Sequence, residues 1–207
     1  MRWSVAPWAL LFVASWAGFG TAWASEFAVG AEVGPSIRNM LSVADIRPAS
    51  RSHGIAGVDA RLAGERWGIG VGAYLGGTWF DFHQQSGFPS GNIKDQCWLI
   101  RPRVERLLSI DDKTSLVIGT GVEYGEWRSW TDTRLYSARG PRAFFTGGTL
   151  RLGIEHHPGR FELHGAVEGS VFRSHASDEE NASEYHWVGS SFSLMIGLRY
   201  VVARRDG

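Results

Sequence analysis

Eight stretches of this chain alternate apolar and non-apolar residues with a period of two, and that alternation constrains the fold more than any other feature. In RWGIGVGAYLGG, residues 66–77, the odd positions from Trp67 to Leu75 are apolar, while Gly68, Gly70, Gly72 and Gly76 fall on the other side. A period of two is the mark of a strand with two unlike faces. Glycine costs backbone entropy in a strand and gives a sheet nothing to pack, so a face built from it is being kept clear for other groups.

The alternating stretches cover approximately 26–36, 54–64, 66–80, 96–109, 114–128, 142–156, 160–173 and 186–202. Their connections differ in kind. Residues 64–66, 110–113 and the HHPGR segment ending at Arg160 are tight, whereas 37–53, 81–95, 129–141 and 174–185 are long and polar. Short turns on one rim and long loops on the other describe an even-stranded antiparallel meander whose rims face different compartments. The first 24 residues carry Arg2, an apolar middle and small residues at Ala22 and Ala24. They read as a secretory signal cleaved after Ala24, which leaves 25–207 as one β domain. Cys97 is the single cysteine, so no intrachain disulfide can staple that domain.

One face of the strands runs through Val29, Val33, Val58, Leu62, Ile69, Val71, Ile100, Val104, Ile118, Val122, Leu152, Ile154, Leu163, Val167, Leu194 and Ile196. The other carries Glu32, Asp59, Arg61, Arg101, Arg103, Glu105, Glu123, Arg151, Glu155, Glu162, His164, Glu168 and Arg199, set among glycines. Two architectures fit such a pattern: a soluble periplasmic ligand-binding barrel with the apolar face inside, and a transmembrane barrel with it outside. The composition of the charged face favours the second. A water-facing sheet would use threonine and lysine, yet Lys94 and Lys113 are the only lysines in the chain. A closed, narrow lumen has to mix bulky charged groups with residues that make room for them, and arginine pairs bidentately with carboxylates there. The ladder is therefore expected to form an ion-paired plug. With the faces reversed, each midplane arginine would cost about 2–4 kcal/mol against lipid.

Aromatic residues collect near both ends of the strands. Trp79, Trp98, Phe144, Trp127 and Phe172 lie beside the long loops, and Trp67, Phe161 and Tyr200 lie by the short turns, as membrane-interface girdles would. Trp127 has the parity of the charged face and so requires a bulge or an inward position. Equal numbers of basic and acidic side chains, 21 of each, exclude the cationic surplus of a nucleic-acid binder.

With its closing strand SFSLMIGLRYVV, carrying Gly197, Tyr200 and Val202, the chain resembles the small eight-stranded outer-membrane β-barrels of Gram-negative bacteria, the OmpA-like and opacity-protein-like class. It departs from that class by continuing with ARRDG after Val202. The resemblance implies an all-β, up-and-down transmembrane barrel in the bacterial outer membrane. It also implies a structural or surface-interaction role through four long extracellular loops, contact with outer-membrane lipids and lipopolysaccharide, insertion by the outer-membrane assembly machinery, and no cofactor or metal. Eight-stranded lipid A deacylases use a His-x-Ser pair with a carboxylate, since imidazole must deprotonate the hydroxyl. The HAS segment, His175 and Ser177, is similar to that pair, though Asp178 follows where those enzymes have asparagine. The segment is expected in a charged loop, as are His53, His83 and His186 at the long-loop rim.

Overall fold

A computed structural model describes residues 25–42, 49–82, 91–133, 137–139, 142–178 and 183–204. Side chains are described for these except 40–42, 49–51, 78–82, 91–95, 129–133, 137–139, 176–178, 183–185 and 187. The elements in chain order are β1 (Glu26–Ser42), β2 (Ala49–Ala63), β3 (Trp67–Phe82), β4 (Gly91–Ser109), β5 (Thr114–Thr133), β6 (Ser137–Arg139), β7 (Arg142–His156), β8 (Phe161–Asp178) and β9 (Ser183–Arg204). Every pairing is antiparallel, and eight of the strands form a ring in sequence order. β1 meets β9 from Glu26↔Arg204 to Ser42↔Trp187, which closes it. Closure gives every long strand a paired neighbour on each side, the condition for crossing hydrocarbon without an open edge. β6 stands outside the ring as three residues added to the far end of β5.

Three tight turns define one end. Gly64 N donates to Trp67 O at 2.8 Å, and Ile110 N to Thr114 O at 2.9 Å. In the β7–β8 turn Gly159 has φ 79°, a left-handed conformation that a side chain would oppose. At the other end the strands outrun their expected limits. β1 continues to Ser42, β2 begins at Ala49, β4 at Gly91, β5 reaches Thr133, β8 reaches Asp178 and β9 begins at Ser183. Above a bilayer the outer face meets water, so apolar contrast between faces fades while backbone pairing persists. The wall also has one discontinuity. β2 and β3 stop pairing at Gly54↔Gly77, although β2 stays with β1 to Ala49 and β3 with β4 to Phe82.

Side-chain direction follows the alternation in every strand. Outward Val58, Leu75 and Leu150 are 65%, 72% and 69% exposed, while inward Val117 and Met195 are 0% exposed. Glu105, Glu123, Glu162 and Arg199 are also fully buried. A soluble barrel would invert this arrangement, so the ligand-binding alternative with an apolar interior does not hold. Several inward glycines explain how the interior is filled. The Arg103 guanidinium lies over Gly70, where a Cβ would sit 3.1 Å from its Cζ, and the Tyr74 ring occupies the space a side chain at Gly72 would need. The cleared face thus holds an arginine at one glycine and a phenol at the next.

Candidate functional site

The lumen is a connected network of ion pairs toward the short-turn end. Arg199, from the closing strand β9, donates to Asp59 Oδ1 at 2.6 Å, Glu155 Oε1 at 2.9 Å and Glu32 Oε1 at 3.2 Å, and also to Glu162. Arg61 bonds Glu155 and Glu162. Arg103 bonds Asp59 and reaches Glu105 at 2.5 Å. Arg151 links Glu32 at 2.8 Å to Glu168 at 2.5 Å, and Arg101 links Glu168 at 2.5 Å to Glu123 at 3.1 Å. All twelve expected lumen residues therefore face inward and touch one another across the barrel. His164 Nε2 lies 2.7 Å from Glu32 Oε1, a close contact whose geometry is not that of an aligned hydrogen bond. Charges buried this deeply are tolerated only when paired, and each arginine here spans carboxylates from different strands.

Toward the long loops the lumen changes character. Serines come first: Ser193 donates to Ser36 at 2.8 Å, and Ser170 contacts Ser191 at 2.7 Å and Glu123 at 2.8 Å. Tyr74 donates to Glu32 at 2.6 Å from the same level. Beyond them Arg38, 1% exposed, places its guanidinium over Phe145, Phe172 and Trp127 at 4.3, 4.8 and 5.2 Å. Among the described residues no carboxylate pairs with it, and the rings supply the stabilisation that a desolvated cation can take from aromatic faces. Trp127 and Phe172 are thus lumen residues and not members of the girdle. His53 is also inward, 5% exposed and edge-on to Trp127 at 5.5 Å, so it does not join the other histidines at the rim. His83 lies outside the described residues. The apolar alternation of β1 fades after residue 36, which hides Arg38, although it continues the even-numbered inward parity of Glu32.

The outward face carries rings at two levels. Near the short turns Phe161 and Tyr200 meet edge-on at 5.5 Å, and Arg106 covers Trp67 at 4.9 Å. Near the long loops Trp98 and Tyr124 meet at 5.7 Å, with Phe144 exposed on β7. The side chain of Trp79 lies outside the described set. Outward Glu126 is an unexpected member of this level: it accepts from Trp98 Nε1 at 3.2 Å and Arg128 Nε at 2.5 Å, with Arg142 Nε at 3.8 Å.

His175 and Ser177 are not in a loop. Both belong to β8 at its long-loop end, and the His175 side chain is exposed on the outward face. Three adjacent strands carry them in two rows: Arg142 on β7 pairs with Ser177, which pairs with Glu184 on β9, and Phe144 pairs with His175, which pairs with His186. His175 Nδ1 lies 3.4 Å from His186 Nδ1, with ring centroids 4.8 Å apart. Two other groups gather potential metal donors, Glu26, His157 and Glu162 at the short-turn end and Glu32, Asp59 and His164 in the lumen. In both, the carboxylates are already engaged by arginines.

A closed ring of eight membrane-length strands, with ion pairs inside and aliphatic side chains outside, is an outer-membrane β-barrel, and the exterior places the chain in that membrane. Solved structures agree on the fold. Neisserial surface protein A matches with a TM-score of 0.51 at 11% identity, covering 86% of this chain and 97% of that one. The outer membrane protein OprG from Pseudomonas aeruginosa matches with a TM-score of 0.52 at 11% identity, covering 87% and 98%. No protein-family model matches the chain, and no curated protein matches it.

Proposed function

We propose that this protein is a non-conducting outer-membrane barrel whose function is carried by its outer face and its long-loop rim, in contact with lipid and surface partners. The observation that carries this reading is the cross-strand ion network of Arg61, Arg101, Arg103, Arg151 and Arg199 with seven buried carboxylates. Eight strands enclose a space just wide enough for side chains, and here those side chains hold one another across it. Planar-bilayer recording of the folded monomer tests the reading: no steady conductance is expected, and a large, steady conductance refutes it.

A second reading, acyl hydrolysis of an outer-leaflet lipid, gains support from the register at the rim. Position 177 follows position 175 by two residues along β8, and the register pairs it with Arg142 on β7 and Glu184 on β9. In that reaction His175 removes the Ser177 proton as the hydroxyl attacks an ester carbonyl. The acyl group passes to serine while the lipid alkoxide leaves with the proton, and water then releases the fatty acid. The outward face is where an ester buried at headgroup depth would be met. Mass spectrometry of lipid A from expressing cells tests it: loss of one acyl chain, abolished by Ser177→Ala and by His175→Ala, is the expected result, and unchanged lipid A refutes it.

A further inference from the structure

Outside the lumen and away from His175, the long-loop end of the wall presents a groove with chemically unlike ends. It is lined by Ala56, Leu75, Gly77, Trp98, Glu126 and Arg128 and has a volume of about 680 Å³. The groove exists because Gly54 and Gly77 face each other across β2 and β3 at the last pair before those strands separate, which leaves no outward side chain there. Its floor is apolar, with Leu75 among the most exposed aliphatic residues of the barrel. Its wall is Trp98, fixed by the bond to Glu126 and by Tyr124.

The polar end has more cation than anion. Arg128 and Arg142, on β5 and β7, share the single carboxylate of Glu126, and Arg142 keeps a side chain 63% exposed. Arg173, outward and exposed on β8, stands on the next strand. These guanidiniums lie at the level of Trp98, Tyr124 and Phe144, the headgroup level for aromatic residues of a membrane barrel. An outward-facing arginine at that depth, left without a full complement of carboxylate, matches a phosphate, which guanidinium binds through paired N–H donors.

We propose that this groove seats a phosphorylated lipid of the outer leaflet, with an acyl chain along Ala56, Leu75 and Gly77 and the phosphate between Arg128 and Arg142. The site rests on the reading that the outer face meets outer-leaflet lipid, and it requires no hydrolysis. Glu126 competes with the phosphate for both arginines and sets the affinity.

The test uses the full-length protein folded in a neutral detergent, with closure of each variant verified by its heat-dependent gel migration. Native mass spectrometry then compares retention of bisphosphorylated lipid A, its dephosphorylated counterpart and inorganic phosphate. Charge-assisted bonds of the usual strength predict at least about tenfold preference for the phosphorylated lipid. Arg128→Gln with Arg142→Gln abolishes the preference, Glu126→Gln increases it, and inorganic phosphate at equal concentration does not compete. Equal retention of the two lipids by the wild type, a preference that survives the double substitution, a weaker preference in Glu126→Gln, or full competition by inorganic phosphate overturns the proposal. If the double variant fails to close, Glu126→Gln alone decides the question. An unclosed wild-type protein would refute the barrel reading itself, a separate failure.

Discussion

Replacing Arg199 by methionine tests whether the lumen network holds the barrel together. Arg199 is fully buried and donates to four carboxylates, Glu32, Asp59, Glu155 and Glu162, contributed by β1, β2, β7 and β8. Methionine fills much of the same volume but offers no donor, so four acids from four strands lose a shared counter-charge in a desolvated space. Removing one partner of a buried ion pair costs about 3–5 kcal/mol, because the remaining charge stays buried without compensation. At an m value of about 4 kcal/mol/M in guanidinium chloride, that loss lowers the unfolding midpoint by about 1 M. Arg204→Met is the matched control. Arg204 bonds Glu26 at 2.7 Å, but its side chain is 46% exposed at the short-turn rim. A solvated pair of that kind contributes about 0–1 kcal/mol, a midpoint shift near the limit of measurement. Equilibrium unfolding in lipid vesicles, followed by tryptophan fluorescence, compares the two. Equal midpoints for Arg199→Met and Arg204→Met would refute the claim that the lumen charges depend on one another.

Glycine positions provide a second contrast: Gly72→Ala meets the Tyr74 ring and destabilises by about 1–3 kcal/mol, while Gly148→Ala faces open space outside the barrel and does not lower the unfolding midpoint. Arg38→Met behaves opposite to Arg199→Met, raising the unfolding midpoint, because no described carboxylate is orphaned when a desolvated cation is replaced by an apolar group. Asp111, in the β4–β5 turn, accepts from the Lys113 backbone N–H at 2.8 Å, and this bond together with that of Thr114 holds its carboxyl below the ordinary aspartate value. Its contribution to the turn is present above the unfolded value and is lost as pH falls through the lower folded one. A carboxyl NMR titration should give a midpoint below that of a model aspartate, and a midpoint at or above it contradicts the hydrogen bond.

Alternation made the wall of the barrel readable, since a membrane imposes chemistry on one face and a narrow lumen imposes it on the other. The outward set from Val29 to Val202 and the inward set from Glu32 to Arg199 each follow from one parity per strand. Pairing within the lumen was not readable: nothing local says that Arg151 joins Glu32 to Glu168, because those contacts depend on how opposite walls meet across the lumen. Above the membrane the outer face meets water while the inner face turns aromatic around Arg38, so the apolar-out, charged-in contrast is lost although the alternation continues. That is why the alternation marks β8 only to residue 173 although the strand carries His175 and Ser177 to Asp178, and why it marks neither Arg38 nor β6. Trp127 and Phe172 were misplaced for a related reason. Aromatic residues near strand ends suit a girdle by composition, but parity turns these two inward, where they surround Arg38.

Magnetisation transfer from lipid to side-chain methyl groups tests the orientation of the wall most directly. In nanodiscs, cross-relaxation from acyl-chain methylene protons should reach the methyls of Leu150, Ile154 and Ile196, which point outward and are 69%, 54% and 61% exposed. It should not reach Val117 or Met195, which are sealed inside. Lipid contacts at Val117 and Met195, with Leu150, Ile154 and Ile196 contacting water alone, would contradict the account.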